Sequence, residues 1–399
     1  MIVCSDELGK RSVHSGESFQ DELVRIREDG LGRVLSALPE VGGRIQDGGR
    51  EVLNFSSNDY LDLANDARLK TAAKAAVDAF GCGATASRLM AGDLALHEAL
   101  EARLAALVGQ EAALVFPSGF QANLGAITTL AGVGGAVFSD ALNHASIVDG
   151  CRLAKAEVHV YDHLDLGHLE ALLDAVEVPG RKVIVSDAVF SMDGDVAPVE
   201  ALRALADRHG AYLLVDEAHA LGVFGKGAGL CAEQGVVPDV LVANLTKALG
   251  SGGGFVTGSR DFIDLVINRA RSFIFSTGLA PACVGSALEA INVVEAEPDL
   301  GAELLRRSSL LRRALREKGF DIPDDRSQII PIVVGGNEAA VAISEALLPE
   351  GILITPVRPP SVPVGTARLR ISVTLAHTEG DLAKAAEVLA STALEAGVL

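Results

Sequence analysis

Two short aliphatic segments, each followed by a charged residue, constrain the fold of this chain most strongly. Residues 213–215 are aliphatic and precede Asp216, and residues 240–243 are aliphatic and end four positions before Lys247. Such runs are typical of buried strands in a parallel sheet. Because open α/β sheets bind ligands beyond the carboxyl ends of their strands, we expect the acid and the lysine at one edge of a shared sheet.

The same alternation continues between about residues 58 and 276 and predicts an α/β fold. Helical stretches such as 94–108 and 199–209 separate predicted strands at 112–116, 136–139, 182–186, 212–215, 240–243 and 254–257. This order predicts a mainly parallel sheet with helices on both faces.

Three regions are predicted: an N-terminal arm (1–57) with a helix near 18–28, a large domain (58–290) and a smaller C-terminal α+β domain (291–399). A helix at 281–295 connects the two domains. The C-terminal domain is predicted to contain helices at 303–318 and 379–394 and strands at 328–334, 352–355 and 368–374. Within 368–373, arginines alternate with aliphatic residues, so the two sets are expected on opposite faces of a strand.

Composition excludes several classes of protein. The formal net charge of −19 argues against nucleic acid or an anionic membrane as a partner. No apolar run is long enough for a membrane span, and the N-terminus is too polar for a signal peptide. The five cysteines are scattered singly, which supports neither disulfides nor a metal site. We therefore expect a cytoplasmic protein without a metal.

The charged strand ends suit pyridoxal 5'-phosphate (PLP), which requires a lysine and usually an acidic partner for its ring nitrogen. Asp216 would hold that nitrogen protonated, and Lys247, desolvated among apolar residues, would be a nucleophile or base. His219 could donate to the ring oxygen, and Ala218 leaves a flat surface for the ring. A surface lysine and a helix-capping acid are the structural alternatives, but they explain neither the pairing nor His219.

Two further segments follow predicted strands and add candidates for the same site. Ser118, Gly119 and Phe120 open a helix whose N-terminal N–H groups suit a phosphate. His144 follows the strand at 136–139, where an imidazole could stack on the cofactor ring. The glycines at 250–254 follow the lysine without the G-x-G-x-x-G order, and no P-loop occurs, so a nucleotide-binding protein is disfavoured.

Taken together, the motifs resemble those of the α-oxoamine synthases, PLP enzymes of fold type I. The resemblance covers about residues 33–377. Its motifs are Asn54–Leu61, Ser87–Leu89, Asn143–Ser146, Phe190–Asp195, Asp216–His219, Lys247, Phe275–Thr277 and Arg358–Pro363. It implies a large domain with a mainly parallel seven-stranded sheet and a smaller C-terminal domain.

The resemblance also implies a role for each matching residue. Lys247 holds PLP as a Schiff base and moves the Cα proton, Asp216 pairs with the ring nitrogen, and His144 stacks on the ring and polarises the thioester carbonyl. His219 and Ser191 are implied to contact the ring oxygen. Gly119 and Phe120 are implied to hold the phosphate, with Ser276 and Thr277 from the partner of a homodimer. Arg370 is implied to bind the amino-acid carboxylate with Asn58 nearby, and Arg33, Arg358 and Ser361 to line the acyl-donor side.

Two residues depart from the family pattern. Asn244 stands where a phosphate-binding threonine is usual, and either Asn244 itself or Thr246 is expected to make that contact. Asp62 stands where a glycine is usual, which raises a question about a local turn.

The implied activity is a decarboxylative condensation of an amino acid with an acyl thioester. The Arg358-Pro359-Pro360 segment and the run Gly365–Arg370 favour L-alanine and a pimeloyl donor, carried by coenzyme A or by an acyl carrier protein. The alternative is a glycine C-acyltransferase of the same family, of the 2-amino-3-ketobutyrate CoA ligase or 5-aminolevulinate synthase type. A non-catalytic PLP-fold binding protein is a further alternative, against which the complete set of Lys247, Asp216, His219 and His144 argues.

Overall fold

A computed structural model describes residues 18–399 and contains three sheets within that range. The strands are β1 (Arg44–Asp47), β2 (Arg50–Asn54), β3 (Ala112–Phe116), β4 (Ala136–Asp140), β5 (Glu157–Tyr161), β6 (Lys182–Asp187), β7 (Tyr212–Asp216), β8 (Val240–Asn244), β9 (Gly254–Gly258), β10 (Ile329–Gly335), β11 (Ile352–Leu353), β12 (Pro356–Val357) and β13 (Ala367–Ser372). The helices are α1 (Phe19–Glu28), α2 (Ala67–Phe80), α3 (Ala95–Leu107), α4 (Gly119–Leu130), α5 (Ala145–Leu153), α6 (Leu166–Ala175), α7 (Val199–His209), α8 (Leu230–Glu233), α9 (Arg260–Arg269), α10 (Arg271–Ile274), α11 (Pro281–Ala296), α12 (Leu300–Glu317), α13 (Asn337–Leu347) and α14 (Glu379–Glu395).

The largest sheet has seven strands in the order β3-β9-β8-β7-β6-β4-β5, and only β9 runs antiparallel to its neighbours. Alternate side chains of the central strands enter two separate cores: Leu213 and Val215 pack on one face, and Leu214 packs on the other. Burial on both faces explains why these strands are continuous aliphatic runs. The predicted α/β class with a mainly parallel seven-stranded sheet is confirmed.

Glycines allow helix α4 to begin directly against the sheet. Ser118 caps this helix, and its hydroxyl accepts a hydrogen bond from the backbone N–H of Gln121. A Cβ atom added to Gly254 would lie 2.5 Å from the backbone nitrogen of Gly119. The glycine-rich stretch after Lys247 therefore provides room for a helix N-terminus at the sheet edge.

The predicted N-terminal arm has more regular structure than its polar sequence indicates. Helix α1 lies where a helix was expected, with Ser18 as its N-cap. Residues 44–54 form a β-hairpin, and its turn is Gly48-Gly49, with φ values of 58° and 81°. Strand β2 pairs in parallel with β11, so this part of the arm is joined to the C-terminal region. The domain boundaries at 57 and 290 stay a prediction.

The C-terminal region is built around the antiparallel sheet β10-β13-β12 and helices α12 to α14. The predicted alternation in β13 is confirmed, because Leu369 and Ile371 pack in the core while Arg368 and Arg370 both contact the 191–193 turn. No helix of residues 18–399 has both the length and the apolar character needed to cross a bilayer.

Candidate active site

A cavity of about 250 Å³ lies where β6, β7 and β8 end and α4 begins. Its lining includes nine of the predicted cofactor residues: Gly119, Phe120, His144, Asp216, Ala218, His219, Asn244, Thr246 and Lys247. Ser118, Asn123, Ser146, Asp187 and Ala243 complete the lining. The geometry of the α/β sheet thus brings together residues that are up to 129 positions apart in the sequence, from Ser118 to Lys247.

Lys247 lies in the turn after β8, half-buried, with its Nζ 2.7 Å from Nε2 of His219. Burial lowers the pKa of Lys247 to about 8, an effect that the nearby Asp216 carboxylate partly opposes. At pH 7 about one tenth of the lysine is therefore neutral, which makes it a competent nucleophile and base.

Asp216 is the last residue of β7 and is held by two neighbours. Its Oδ1 accepts a hydrogen bond from the backbone N–H of Ala218 at 2.8 Å, and its Oδ2 accepts one from Nδ2 of Asn123 at 2.6 Å. The same Asn123 amide donates to Ser146 Oγ at 2.9 Å. These contacts fix a buried carboxylate in the orientation that a protonated ring nitrogen requires.

A second carboxyl group, Asp187, lies beside Asp216 at the end of β6, because the two residues are partners in the β6–β7 register. Burial, followed by the charge of Asp216, raises the pKa of Asp187 well above its usual range. Its Oδ2 accepts the backbone N–H of His144 at 2.7 Å, so Asp187 positions the start of α5.

His144 is the N-cap of α5, and its Nδ1 accepts the backbone N–H of Ser146 at 3.2 Å. That contact leaves the ring proton of the neutral imidazole on Nε2. Burial and the charge of Lys247 lower the pKa of His144, although Asp216 acts in the opposite direction. The imidazole is therefore neutral at pH 7 and able to donate a hydrogen bond.

His219 lies between Lys247 and Tyr60, whose hydroxyl is 2.6 Å from Nδ1 of His219. Burial, with the charges of Lys247 and Arg370, lowers the pKa of His219 well below its usual range. Tyr60 is fully buried, and its hydroxyl donates to Asn58 Oδ1 at 3.2 Å. Tyr60 thus links the lysine side of the cavity to Asn58.

Arg370 lies at the other end of this chain of polar contacts and is buried. Its Nη1 donates to Asn58 Oδ1 at 3.0 Å and to Ser372 Oγ at 2.7 Å, and its Nε donates to the carbonyl oxygen of Ser191. A guanidinium has five N–H donors in a planar fork, which suits a carboxylate that replaces the Asn58 oxygen.

The opposite part of the cavity has the donors that a phosphate needs. The first N–H groups of α4, at Gly119 and Phe120, have no partner within the helix and lie at the positive end of its dipole. Asn244 is buried, and its Oδ1 has no hydrogen-bond partner in residues 18–399. Since amide oxygen and nitrogen can be interchanged, this unpaired amide fits a phosphate donor. The residues present therefore fit PLP, with a lysine and an acid at the ring and free N–H groups for the phosphate.

The remaining predicted site residues lie outside this cavity. Ser191 and Ser361 line an adjacent groove. Arg33 donates to the carbonyl oxygen of Pro359 at 2.8 Å, and Arg358 donates to those of Gly30 at 2.6 Å and Gly32 at 3.1 Å, so both arginines fasten the N-terminal segment to the Pro-Pro segment.

Ser276 and Thr277 lie near the start of α4 of their own chain. Ser276 Oγ accepts a hydrogen bond from Nε2 of Gln121 at 3.1 Å. Thr277 forms an isolated antiparallel β-bridge with Ser87. Neither residue lines the cavity, and their contact with a partner subunit stays a prediction.

Three residues with clear roles in this geometry were not predicted from the sequence: Tyr60, Asn123 and Asp187. Tyr60 lies inside the Asn54–Leu61 motif, and Asn123 lies four residues after Gly119, in the helix that Ser118 to Phe120 were predicted to open. Asp187 ends a predicted strand just as Asp216 does, so its position was the available signal. The neighbouring Glu217 has a structural role, because its carboxylate accepts the backbone N–H groups of Leu230 and Cys231 at the start of α8.

The fold and the cavity define a PLP-dependent enzyme. The family model of aminotransferase classes I and II matches residues 50–389. The chain is 46% identical over 388 residues to 8-amino-7-oxononanoate synthase of Geobacter sulfurreducens, covering 96% of this chain and 99% of that protein. It is 48% identical over 376 residues to the enzyme of the same name from Anaeromyxobacter dehalogenans strain 2CP-1, covering 92% of this chain and 94% of that protein. The chain therefore belongs to the aminotransferase class I and II family and, within it, to the 8-amino-7-oxononanoate synthases.

Solved structures agree with this placement. Serine palmitoyltransferase from S. paucimobilis with bound PLP-myriocin superposes with a TM-score of 0.89 at 30% identity, covering 95% of this chain and 97% of that one. The 8-amino-7-oxononanoate synthase of Francisella tularensis superposes with a TM-score of 0.75 at 26% identity, covering 86% of this chain and 98% of that one.

Proposed function

We propose that this protein condenses L-alanine with a pimeloyl thioester, releasing CO2 and the thiol, to form 8-amino-7-oxononanoate for biotin biosynthesis. The observation that carries the proposal is that Lys247 and Asp216 line one cavity in a chain 42–48% identical to relatives of that name. We further propose that it works in the cytoplasm as a homodimer with shared sites, and that coenzyme A carries the acyl group.

When bound, PLP supplies an aldehyde that condenses with amines and a protonated ring that withdraws electrons from the amino-acid Cα. Asp216 would stabilise that protonated ring, because Asn123 and the backbone N–H of Ala218 hold its carboxylate in place. Lys247, with a pKa of about 8, would hold the aldehyde and, with its amine free, would accept the Cα proton at Nζ.

Arg370 binds the alanine carboxylate and Asn58 helps to orient it. His144, neutral and with its proton on Nε2, donates to the thioester carbonyl oxygen while the Cα–carbonyl bond forms. The thiolate then leaves and takes a proton from solvent, the alanine carboxylate departs as CO2, and protonated Lys247 returns its proton to the same carbon.

Turnover with two amino donors tests this proposal. Purified protein with PLP and pimeloyl-CoA is incubated with L-alanine or with glycine, and the released thiol and the product mass are measured. We expect a higher kcat/KM for L-alanine and the mass of 8-amino-7-oxononanoate. A preference for glycine would favour the sister activity, since one methyl group is worth only about 1–3 kcal/mol of discrimination.

The Lys247→Ala variant distinguishes an enzyme from a binding protein. An enzyme of the proposed mechanism loses turnover with this change, while retained turnover would overturn the role of Lys247. A Lys226→Ala variant, at a loop lysine outside the cavity, serves as the matched control.

A further inference from the structure

The chain between β6 and α7 forms a tight turn at residues 190–195, which reaches from the seven-stranded sheet to β13. Its base is an antiparallel bridge between Val189 and Val196. Within it, the backbone N–H of Phe190 donates to the carbonyl oxygen of Asp195 at 3.0 Å. These bonds close the 190–195 turn, so its side chains and carbonyl groups are held as one unit.

Ser191, in this turn, contacts the arginine assigned to the amino-acid carboxylate. Its carbonyl oxygen accepts a hydrogen bond from Nε of Arg370, while Nη1 of the same guanidinium donates to Asn58. A guanidinium is planar, so fixing Nε and Nη1 also fixes the direction of its remaining N–H donors. The position of the 190–195 turn therefore sets the direction in which Arg370 meets a carboxylate.

A second arginine of β13 holds the turn from the C-terminal region. Arg368 lies two residues before Arg370, so both side chains are on the same face of the strand. Its Nη1 forms an ion pair with Asp193, and its Nε donates to the carbonyl oxygen of Thr366 at 3.1 Å. The Arg368 side chain is 5% exposed. Because desolvation offsets most of the attraction in a buried ion pair, stability alone does not account for this one.

His163 holds the same turn from the large sheet. Its Nε2 donates to Asp195 Oδ2 at 2.8 Å, and its Nδ1 donates to Asp140 Oδ1 at 2.9 Å. The ring also packs edge-on against Phe190, with ring centroids 4.4 Å apart. Because both ring nitrogens face carboxylates, the imidazole is charged and its orientation is fixed. Both acids of the 190–195 turn are thus bound by cations, from two different parts of the fold.

We propose that Arg368 and His163 are positioning residues, which hold the 190–195 turn so that the carbonyl group of Ser191 keeps Arg370 oriented for the carboxylate of the amino-acid substrate. This inference rests on the proposed function, in which Arg370 binds that carboxylate. Neither positioning residue needs to touch the substrate, because each acts through an acid of the turn.

The proposal has a specific consequence for binding. If either contact is lost, the turn and the Arg370 guanidinium gain freedom, and their order must be restored each time a carboxylate binds. The expected result is weaker binding of the carboxylate with an unchanged affinity for the amino group. A purely structural role would weaken both.

Two amines that differ only in the carboxylate, L-alanine and ethylamine, test the proposal. Both react with the aldehyde of bound PLP, and the visible absorbance of the PLP-loaded protein reports each Kd without turnover. We expect Arg368→Gln and Asp193→Asn each to raise the Kd for L-alanine roughly 10-fold, while the Kd for ethylamine changes less than about 2-fold. His163→Gln should act in the same direction, by roughly 3-fold or more.

The ion pair is tested by combining its two substitutions. If Arg368 acts through Asp193, the double variant Asp193→Asn, Arg368→Gln should bind L-alanine no more weakly than either single variant. Losses that multiply would overturn the pairing. The matched control is Arg203→Gln, which removes a half-buried ion pair with Asp239 at 2.6 Å and should change neither Kd. A loss of L-alanine affinity in this control as large as in Arg368→Gln would mark the effect as general and overturn the inference.

Arg370→Gln separates the inference from the proposed function. This variant should lose the preference for L-alanine over ethylamine altogether. If it does, and Arg368→Gln and Asp193→Asn keep the wild-type preference, the inference is wrong and the proposed role of Arg370 stands. If Arg370→Gln keeps the preference, that role fails and the inference fails with it. Equal losses of affinity for both amines in Arg368→Gln would indicate a structural effect and would also overturn the inference.

Discussion

At the scale of single residues, Asp62 shows how a departure from the family pattern is accommodated. Its φ of 58° lies in the left-handed region, where a glycine is favoured and an L side chain costs about 1–2 kcal/mol. Aspartate tolerates this region better than most residues, and here the turn forms without glycine.

We therefore expect Asp62→Gly to raise the free energy of unfolding by about 0.5–1 kcal/mol, since relief of backbone strain exceeds the added flexibility of glycine. Asp62→Ala at the same position should lower it. Urea denaturation of both variants measures the effect, and a glycine variant less stable than wild type would contradict this account.

Tyr60 supports a second residue-scale prediction. Tyr60→Phe removes the hydroxyl that contacts Nδ1 of His219 and leaves that buried nitrogen unpaired at a cost of about 1–3 kcal/mol, while Oδ1 of Asn58 keeps its hydrogen bond from Arg370. We expect kcat to fall roughly 10-fold, because His219 loses the partner that orients it. Tyr161→Phe, at a buried tyrosine of β5, is the control. Equal kcat losses in the two variants would indicate a general packing effect.

The residues of the cavity differ in how visible they are in the sequence. Asp216 and Lys247 could be predicted, because each follows a buried strand and the sheet brings strand ends together. The partners of these residues could not, since the Asn123–Asp216 and Tyr60–His219 contacts span 93 and 159 positions. Nothing local to Asn123 or Tyr60 specifies such partners.

At the scale of elements, the sequence patterns missed β5 and the β1–β2 hairpin, whose residues are largely exposed or half-exposed apart from 45 in β1, 161 in β5 and the buried end of β2 at 52–54. Strand β5 is at the edge of the sheet and most of its residues are exposed or half-exposed, so it lacks the aliphatic run that reveals the inner strands. The β1–β2 hairpin is similarly polar and depends on its pairing with β11. The Gly48-Gly49 pair is a turn signal in the sequence, but the polar residues beside it do not predict strands.

One histidine with two aspartate partners joins several of these elements. His163, between β5 and α6, contacts Asp140 at the end of β4 through Nδ1 at 2.9 Å, and Asp195 through Nε2 at 2.8 Å. Burial lowers the pKa of His163, but the hydrogen bonds to both carboxylates outweigh it and raise the pKa to about 9.

The raised pKa fixes the sign of a pH effect on stability. The folded protein binds the His163 proton more tightly than the unfolded chain, so this contribution is complete below about pH 6.5 and is lost as the pH rises through about 9. We expect wild type to lose about 2–3 kcal/mol of unfolding free energy over that interval relative to His163→Gln. Urea titrations from pH 6.5 to 9.5 measure the difference, with His168→Gln as control. Parallel pH curves for wild type and His163→Gln would exclude the effect.

At the scale of the whole molecule, exposed apolar side chains lie where the second subunit of the proposed homodimer would bind. Leu89, Met90 and Phe275 are 52%, 82% and 70% exposed. The bridge between Ser87 and Thr277 and the backbone bond from Gly278 to Ala86 bring their segments together. An apolar patch next to Ser276 and Thr277 is the surface expected of a subunit interface that delivers those two hydroxyl groups to the neighbouring phosphate site.

Complementation between two inactive proteins tests whether the sites are shared. The Lys247→Ala chain lacks the lysine, and the doubly substituted Ser276→Ala, Thr277→Ala chain lacks the two hydroxyls and should bind PLP weakly. If each site combines Lys247 of one subunit with Ser276 and Thr277 of the other, a mixed dimer contains one intact site and one site that lacks both. After random exchange of equal amounts, half of the dimers are mixed, so about one quarter of all sites should be intact.

We therefore expect turnover near a quarter of the wild-type value at limiting PLP, whereas either variant alone stays low. If the serine and threonine act within their own chain, as the contact of Ser276 with Gln121 also permits, mixing restores nothing.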